Sequence, residues 1–184
     1  HLIWSKKLGG SVNTSPAVSD SHLIVTSNSG NVSALNLTDG SEVWTVNVGG
    51  YQWASPAITS DGSSIVVAGV NGQINCLNAQ SGTVIWKDSF ETSFRATPSM
   101  SHDRVYVSTA DGSLLALRLN DGSTVWTFTD GTNTERFTSA SQDIENGQTN
   151  LIFGSTAGKL FKVADSGSVP ALIWQTAIGG NLYW

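Results

Sequence analysis

Few residues in this chain of 184 can do chemistry, and those that can are scattered. A single cysteine, Cys76, can make no internal disulfide and no cysteine-based zinc site, and reads as a small buried apolar residue. The histidines His1, His22 and His102 are far apart, the last two beside turns. There is no His-Glu-x-x-His pair, no phosphate loop and no Gly-x-Ser-x-Gly elbow. The stretch from Asp130 through Asn133 to Glu135 is a candidate calcium loop, but it lacks the acidic density of an EF-hand. Recognition is better served than catalysis. Asn13, Trp53, Arg95 and Arg136 align just before the same strand of successive repeats. Arginines on consecutive repeats suit bidentate recognition of a carboxylate or sulfate, or they pair with Glu91 and Glu135 and solvate the rim.

Three glycosylation sequons begin at Asn13, Asn31 and Asn36. With 13 Asn, and with Ser and Thr filling 44 of 184 positions, chance alone gives about three, so the count carries no signal. Asn31, beside a turn, is the best acceptor and Asn36 the least accessible.

The net charge of −5 with nine dispersed basic residues excludes a phosphate-neutralising stripe, and so a nucleic-acid partner. No apolar run approaches the roughly 20 residues of a membrane-spanning helix. Charged residues make up only 12%, and hydroxyl side chains supply the missing polarity. Such a surface suits an extracellular or cell-surface protein, periplasmic in a bacterium.

The elements that must position these groups follow from an internal repeat. Trp4, Trp44, Trp86, Trp126 and Trp174 stand 40, 42, 40 and 48 residues apart, while Trp53 and Trp184 are off the beat. Between them recur a Ser-Pro-Ala block, an apolar run, a Gly turn, a second strand and a second Gly turn before the next Trp. Each unit predicts four short strands of four to seven residues. One such sheet cannot bury both faces alone, so tandem units must stack about an axis. The fold class is therefore all-β: a β-propeller of four-stranded antiparallel blades. One segment, 1–184, holds repeats at about 5–44, 45–86, 87–126 and 127–174, and 175–184 opens a further blade.

The approach to each Trp, as in Ala34-Leu-Asn36-Leu-Thr-Asp39-Gly40-Ser-Glu-Val-Trp44, resembles the tryptophan-docking repeat of the quinoprotein family, the pyrroloquinoline-quinone-like propellers. The copies depart from it: Asn36, Asn78 and Arg118 replace the usual Asp, and Phe161-Lys-Val163 stands there in the fourth. The resemblance implies that Trp4, Trp44, Trp86, Trp126 and Trp174 clasp successive blades. For a family dehydrogenase it also implies a calcium set, a catalytic Asp and often a vicinal cysteine pair, which a lone Cys76 cannot form. No cofactor or metal is expected.

Both ends read as cut in mid-blade, so the chain is expected to be half of an eight-bladed ring within a longer polypeptide, or a subunit completed by another copy. The expected function is a non-enzymatic extracytoplasmic scaffold or protein-interaction module, with a protein partner or further copies of itself, and with glycans on the sequons. The alternatives are a fibre subunit formed by blade sharing and a fragment of a quinone-dependent dehydrogenase.

Overall fold

The computed structural model of the chain describes residues 1–19, 21–132 and 136–180. Runs of Val, Ile and Leu broken by Gly turns fold into four sheets, each of four antiparallel strands in sequence order. The first holds β1 (Ala17–Val18), β2 (His22–Thr26), β3 (Asn31–Asn36) and β4 (Glu42–Asn47). The second holds β5 (Ala57–Ile58), β6 (Ser64–Ala68), β7 (Gln73–Asn78) and β8 (Val84–Ser89). The third holds β9 (Ser99–Ser101), β10 (Arg104–Ser108), β11 (Ser113–Arg118) and β12 (Thr124–Thr129). The fourth holds β13 (Ser141–Glu145), β14 (Gln148–Gly154), β15 (Lys159–Asp165) and β16 (Pro170–Ala177). These are the blades of a β-propeller, and β1, β5, β9 and β13 neighbour one another at its inner side.

The period of two along each middle strand serves both faces of a blade. Ile65 and Val67 of β6 pack with Ile24, Val32 and Ala34 of the first blade. Val66 and Ala68 point the other way, to Val105, Val107 and Leu117 of the third. Between the third and fourth blades the filling is aromatic, with Phe128, Phe137, Phe153 and Phe161 in mutual contact.

The innermost strands are shorter than the four to seven residues expected. β1 and β5 have two residues each and β9 has three. Pro16, Pro56 and Pro98 precede them without an N–H to extend the ladder, and turns such as Ser19 to His22 close them at once. β13 runs further because Asn146 (φ 51) and Gly147 (φ 79) form a two-residue turn farther out.

Four tryptophans join the chain across blades. Trp4, Trp44 and Trp86 donate their indole N–H to the carbonyls of Leu37, Ala79 and Leu119 at 3.0, 3.1 and 2.6 Å. The rings cover Gly40, Gly82 and Gly122, which have φ of +70 to +77, and a Cβ at any of them would sit 2.5 to 2.6 Å from ring carbon Cε3. Only glycine combines that φ with that approach. Trp126 differs, donating to the carboxylate of Asp165 at 2.9 Å. Trp174 is 38% exposed.

The register also corrects the fourth repeat. Trp44, Trp86 and Trp126 lie opposite Ala34, Cys76 and Ala116, whereas Trp174 lies opposite Lys162. The segment matching Ala34-Leu-Asn36 is thus Lys162-Val163-Ala164, one residue later than the Phe161-Lys-Val163 that the repeat spacing implies. A long, ion-paired lysine stands where the other blades have a small residue.

Candidate functional site: the axial mouth

The residues around the axis are placed by the segments that enter β1, β5, β9 and β13. In the first three blades a hydroxyl residue precedes proline: Ser15, Ser55 and Thr97. These hydroxyls knit the inner strands together. Ser15 N–H donates to Ser55 Oγ at 3.0 Å, and Ser55 N–H donates to Thr97 Oγ1 at 3.3 Å. Ser139 occupies the matching place before β13. Sequence reasoning passed over this ladder, although a hydroxyl before proline in consecutive repeats was its visible sign.

The ladder lines an open cavity of about 440 Å³, into whose wall Asn13, Trp53 and Arg95 also come. Trp53, 51% exposed, is the aromatic side chain among the described residues lining this cavity. The Arg95 guanidinium carbon lies 4.9 Å from the centre of the Trp53 ring, within cation–π range. Arg95 Nε is buried without a partner, and no hydrogen bond or ion pair to Glu91 forms.

Arg136 is not equivalent to Arg95, which corrects the expected alignment. The Arg136 carbonyl accepts from Thr156 N–H, as the carbonyls of Ser11, Tyr51 and Ser93 accept from Asn28, Val70 and Ala110. It therefore holds the place of Ser93, and it borders a tight crevice shared with Arg95 and Phe137 rather than the axial cavity. One residue fewer separates Phe137 from Ser141 than Phe94 from Ser99, so matching arginine to arginine shifted the frame.

The sequon asparagines have distinct surroundings. Asn13 is exposed at the cavity. Asn31 is half-buried, and its Oδ1 accepts from Asn47 Nδ2 at 2.7 Å. Asn36 Oδ1 accepts from Thr38 N–H at 2.8 Å, inside the turn that covers Trp4.

The remaining chemical candidates do not converge. His22 and His102 lie in different blades, each beside a serine hydroxyl one residue earlier. Asp130 accepts from the backbone and hydroxyl of Thr132 at 3.0 and 2.7 Å and pairs with Lys159 at 3.3 Å. Asn133 and Glu135 of the candidate calcium loop, Glu135 as a partner for Arg136, and Trp184 lie outside the described residues. Cys76 is 1% exposed inside the second sheet, and burial pushes its thiol up to about 11. Among the described residues no three of His, Cys, Asp and Glu gather as a metal site. The donor set of the described residues does not fit a calcium-bound quinone: the thiol of Cys76 is sealed inside a blade and cannot stack against the cofactor, and none of the described residues lining the axial cavity is a carboxylate. No helix among the described residues is long and apolar enough to cross a membrane.

The family described as outer membrane protein assembly factor BamB matches the chain over residues 1–57 and 28–181. No curated protein sequence matches. Among solved structures, BamB from Moraxella catarrhalis is similar with a TM-score of 0.76 and 24% identity, over 90% of this chain and 48% of that one. Quinohemoprotein alcohol dehydrogenase from Comamonas testosteroni follows at TM-score 0.72 and 14% identity, over 91% of this chain and 35% of its own. The Cps50 (Swd1) β-propeller domain of Myceliophteria thermophila gives TM-score 0.80 and 11% identity, over 96% and 58%. The chain thus spans about half the length of the BamB structure. At these identities the likeness speaks for the propeller fold.

Proposed function

Because the chain belongs to the family of the outer membrane protein assembly factor BamB, we propose that it is a non-enzymatic protein-interaction scaffold in an extracytoplasmic assembly, meeting its partner at the axial mouth. The observation that carries this reading is the pairing of half-exposed Trp53 with Arg95 beside a hydroxyl-lined cavity. Tryptophan and arginine concentrate binding energy in protein interfaces, and here both sit at the centre of a concave surface. The hydroxyl-rich, lysine-poor composition supports the extracytoplasmic location, which in a bacterium is the periplasm. In a host that N-glycosylates, Asn13 is the exposed acceptor, while Asn31 and Asn36 are held by local hydrogen bonds.

Fractionation and sedimentation of the native protein test this reading. The expected result is an extracytoplasmic protein in a complex heavier than the lone chain, released toward the free form by Trp53→Ala. A cytosolic protein that sediments alone overturns it. So does alcohol dehydrogenation that appears on adding pyrroloquinoline quinone and calcium.

A second reading, association with further copies as in a fibre, is favoured by the outer strand of the fourth blade. There Leu172, Ile173 and Trp174 are 48, 50 and 38% exposed side by side. Concentration-dependent sedimentation that disappears in Leu172→Ser would favour this reading over a partner at the axis.

A further inference from the structure

We propose that the axial cavity is a carboxylate-binding site, taking the carboxylate of a peptide segment against Arg95 and the hydroxyls of Ser55 and Thr97. This inference rests on the scaffold reading and names what the mouth would recognise.

The cavity holds a surplus of donors. Arg95 carries five N–H donors and no acceptor. Among the described residues Arg95 makes no hydrogen bond or ion pair, and its Nε is buried without a partner. Three other cations of the described residues have carboxylate partners, whereas Lys6, Lys7 and Lys87 are solvent-exposed. Arg104 reaches Asp103 at 2.6 Å, Lys159 reaches Asp130 at 3.3 Å, and Lys162 reaches Asp143 at 2.8 Å. The Arg95 Nε is sealed from solvent, whereas its terminal Nη groups have no partner among the described residues and are the donors that an acceptor entering the cavity can reach.

The hydroxyls add to the surplus. Ser55 Oγ accepts from Ser15 N–H and Thr97 Oγ1 from Ser55 N–H, which occupies oxygen lone pairs and leaves each hydroxyl proton to be donated. No carboxylate is among the described residues lining the cavity, although the chain carries 14 acidic residues against 9 basic ones. Trp53 sets the geometry. Its ring against the guanidinium restricts that planar group, and the planar two-oxygen carboxylate is the acceptor that the remaining fork matches.

The test uses three acetylated tripeptides titrated into the whole protein: acetyl-Ala-Ala-Glu-amide, acetyl-Ala-Ala-Ala with a free carboxyl, and neutral acetyl-Ala-Ala-Gln-amide. The readout is the Nε–H resonance of Arg95 in nitrogen–proton spectra. At least one charged peptide is expected to shift it, and the tighter of the two tells an acidic side chain from a chain terminus. The neutral peptide is expected to leave it in place. Peptide binding, followed on neighbouring backbone amides, is expected to weaken about tenfold or more in Arg95→Gln and less in Arg95→Lys, which keeps the charge without the fork. Unchanged amide spectra elsewhere confirm that the variants fold. The proposal is overturned if the neutral peptide binds equally, if Arg95→Gln binds as before, if inorganic sulfate binds as tightly as the peptides, or if none binds up to about 10 mM. The two readings separate: a native complex that survives Arg95→Gln while the peptides fail leaves the scaffold standing without the carboxylate site.

Discussion

Trp126 donates its indole N–H to the carboxylate of Asp165 at 2.9 Å, where the three preceding clasps use a backbone carbonyl. The ladder puts Asp165 one residue beyond Ala164, just as Leu37, Ala79 and Leu119 stand one beyond Asn36, Asn78 and Arg118. The fourth blade thus keeps the position and changes the acceptor. Asp165 is 7% exposed in its side chain and also accepts from Tyr106 Oη at 2.7 Å and Gly167 N–H at 3.1 Å, with Arg104 at 3.6 Å.

Removing that carboxylate strands the donors around it. Asp165→Ala is expected to cost about 3 to 5 kcal/mol, as loss of one partner of a buried charge pair does. Asp103→Ala, at the exposed end of the same arginine, is expected to cost about 1 kcal/mol or less. Urea denaturation of the two variants checks the contrast.

Gly82 and Gly62 separate backbone strain from steric conflict. Both have φ near +70, but a Cβ at Gly62 meets open space while one at Gly82 meets the Trp44 ring. Gly62→Ala is expected to cost about 1 to 2 kcal/mol, the left-handed penalty alone. Gly82→Ala adds overpacking of about 1 to 3 kcal/mol, read as a lower denaturation midpoint.

Trp86 is buried against Gly122, whereas Trp174 is half-exposed. Trp86→Ala is expected to cost about 3 to 5 kcal/mol through the cavity left behind. Trp174→Ala is expected to cost less, because more of its side chain stays in water. Equal midpoints for the two variants would contradict the clasp.

Stability should fall at both extremes of pH. Hydrogen bonds from the Thr59 hydroxyl, then from the backbone and hydroxyl of Ser63, hold Asp61 down at about 2, below its ordinary 3.8. Its ionised form therefore favours the folded state above about pH 4, and that contribution fades as pH drops toward 2. Burial first, then the hydrogen bond to Asp165, raises the Tyr106 hydroxyl above its ordinary 10. Neutral Tyr106 thus supports the fold below pH 10, and the support declines as pH rises past it. Denaturation curves across pH should show the acid loss reduced in Ser63→Ala and the alkaline loss reduced in Tyr106→Phe.

The four-stranded blade was legible in the sequence because a half-buried strand alternates with period two and a tight turn needs glycine, both local constraints. The Trp126 to Asp165 bond was not. Its partners lie 39 residues apart, and nothing near Asp165 shows that its side chain, not its backbone, faces the neighbouring blade. Trp53 stood out as off the beat, but its contact with Arg95 joins two blades and appears only when they stack. Arg136 misled because a one-residue shortening before β13 is invisible when repeats are matched by residue type.

The most direct test of the scaffold account places a photo-crosslinking benzoylphenylalanine at Asn13, exposed at the cavity beside an intact Trp53, and separately at Val43 on the exposed outer strand β4, in the protein's own cells. The account predicts a strong, discrete protein adduct from position 13 that weakens when Trp53→Ala is added, and little from position 43. No adduct from position 13, or an equal adduct from both positions, would contradict a partner at the axial mouth.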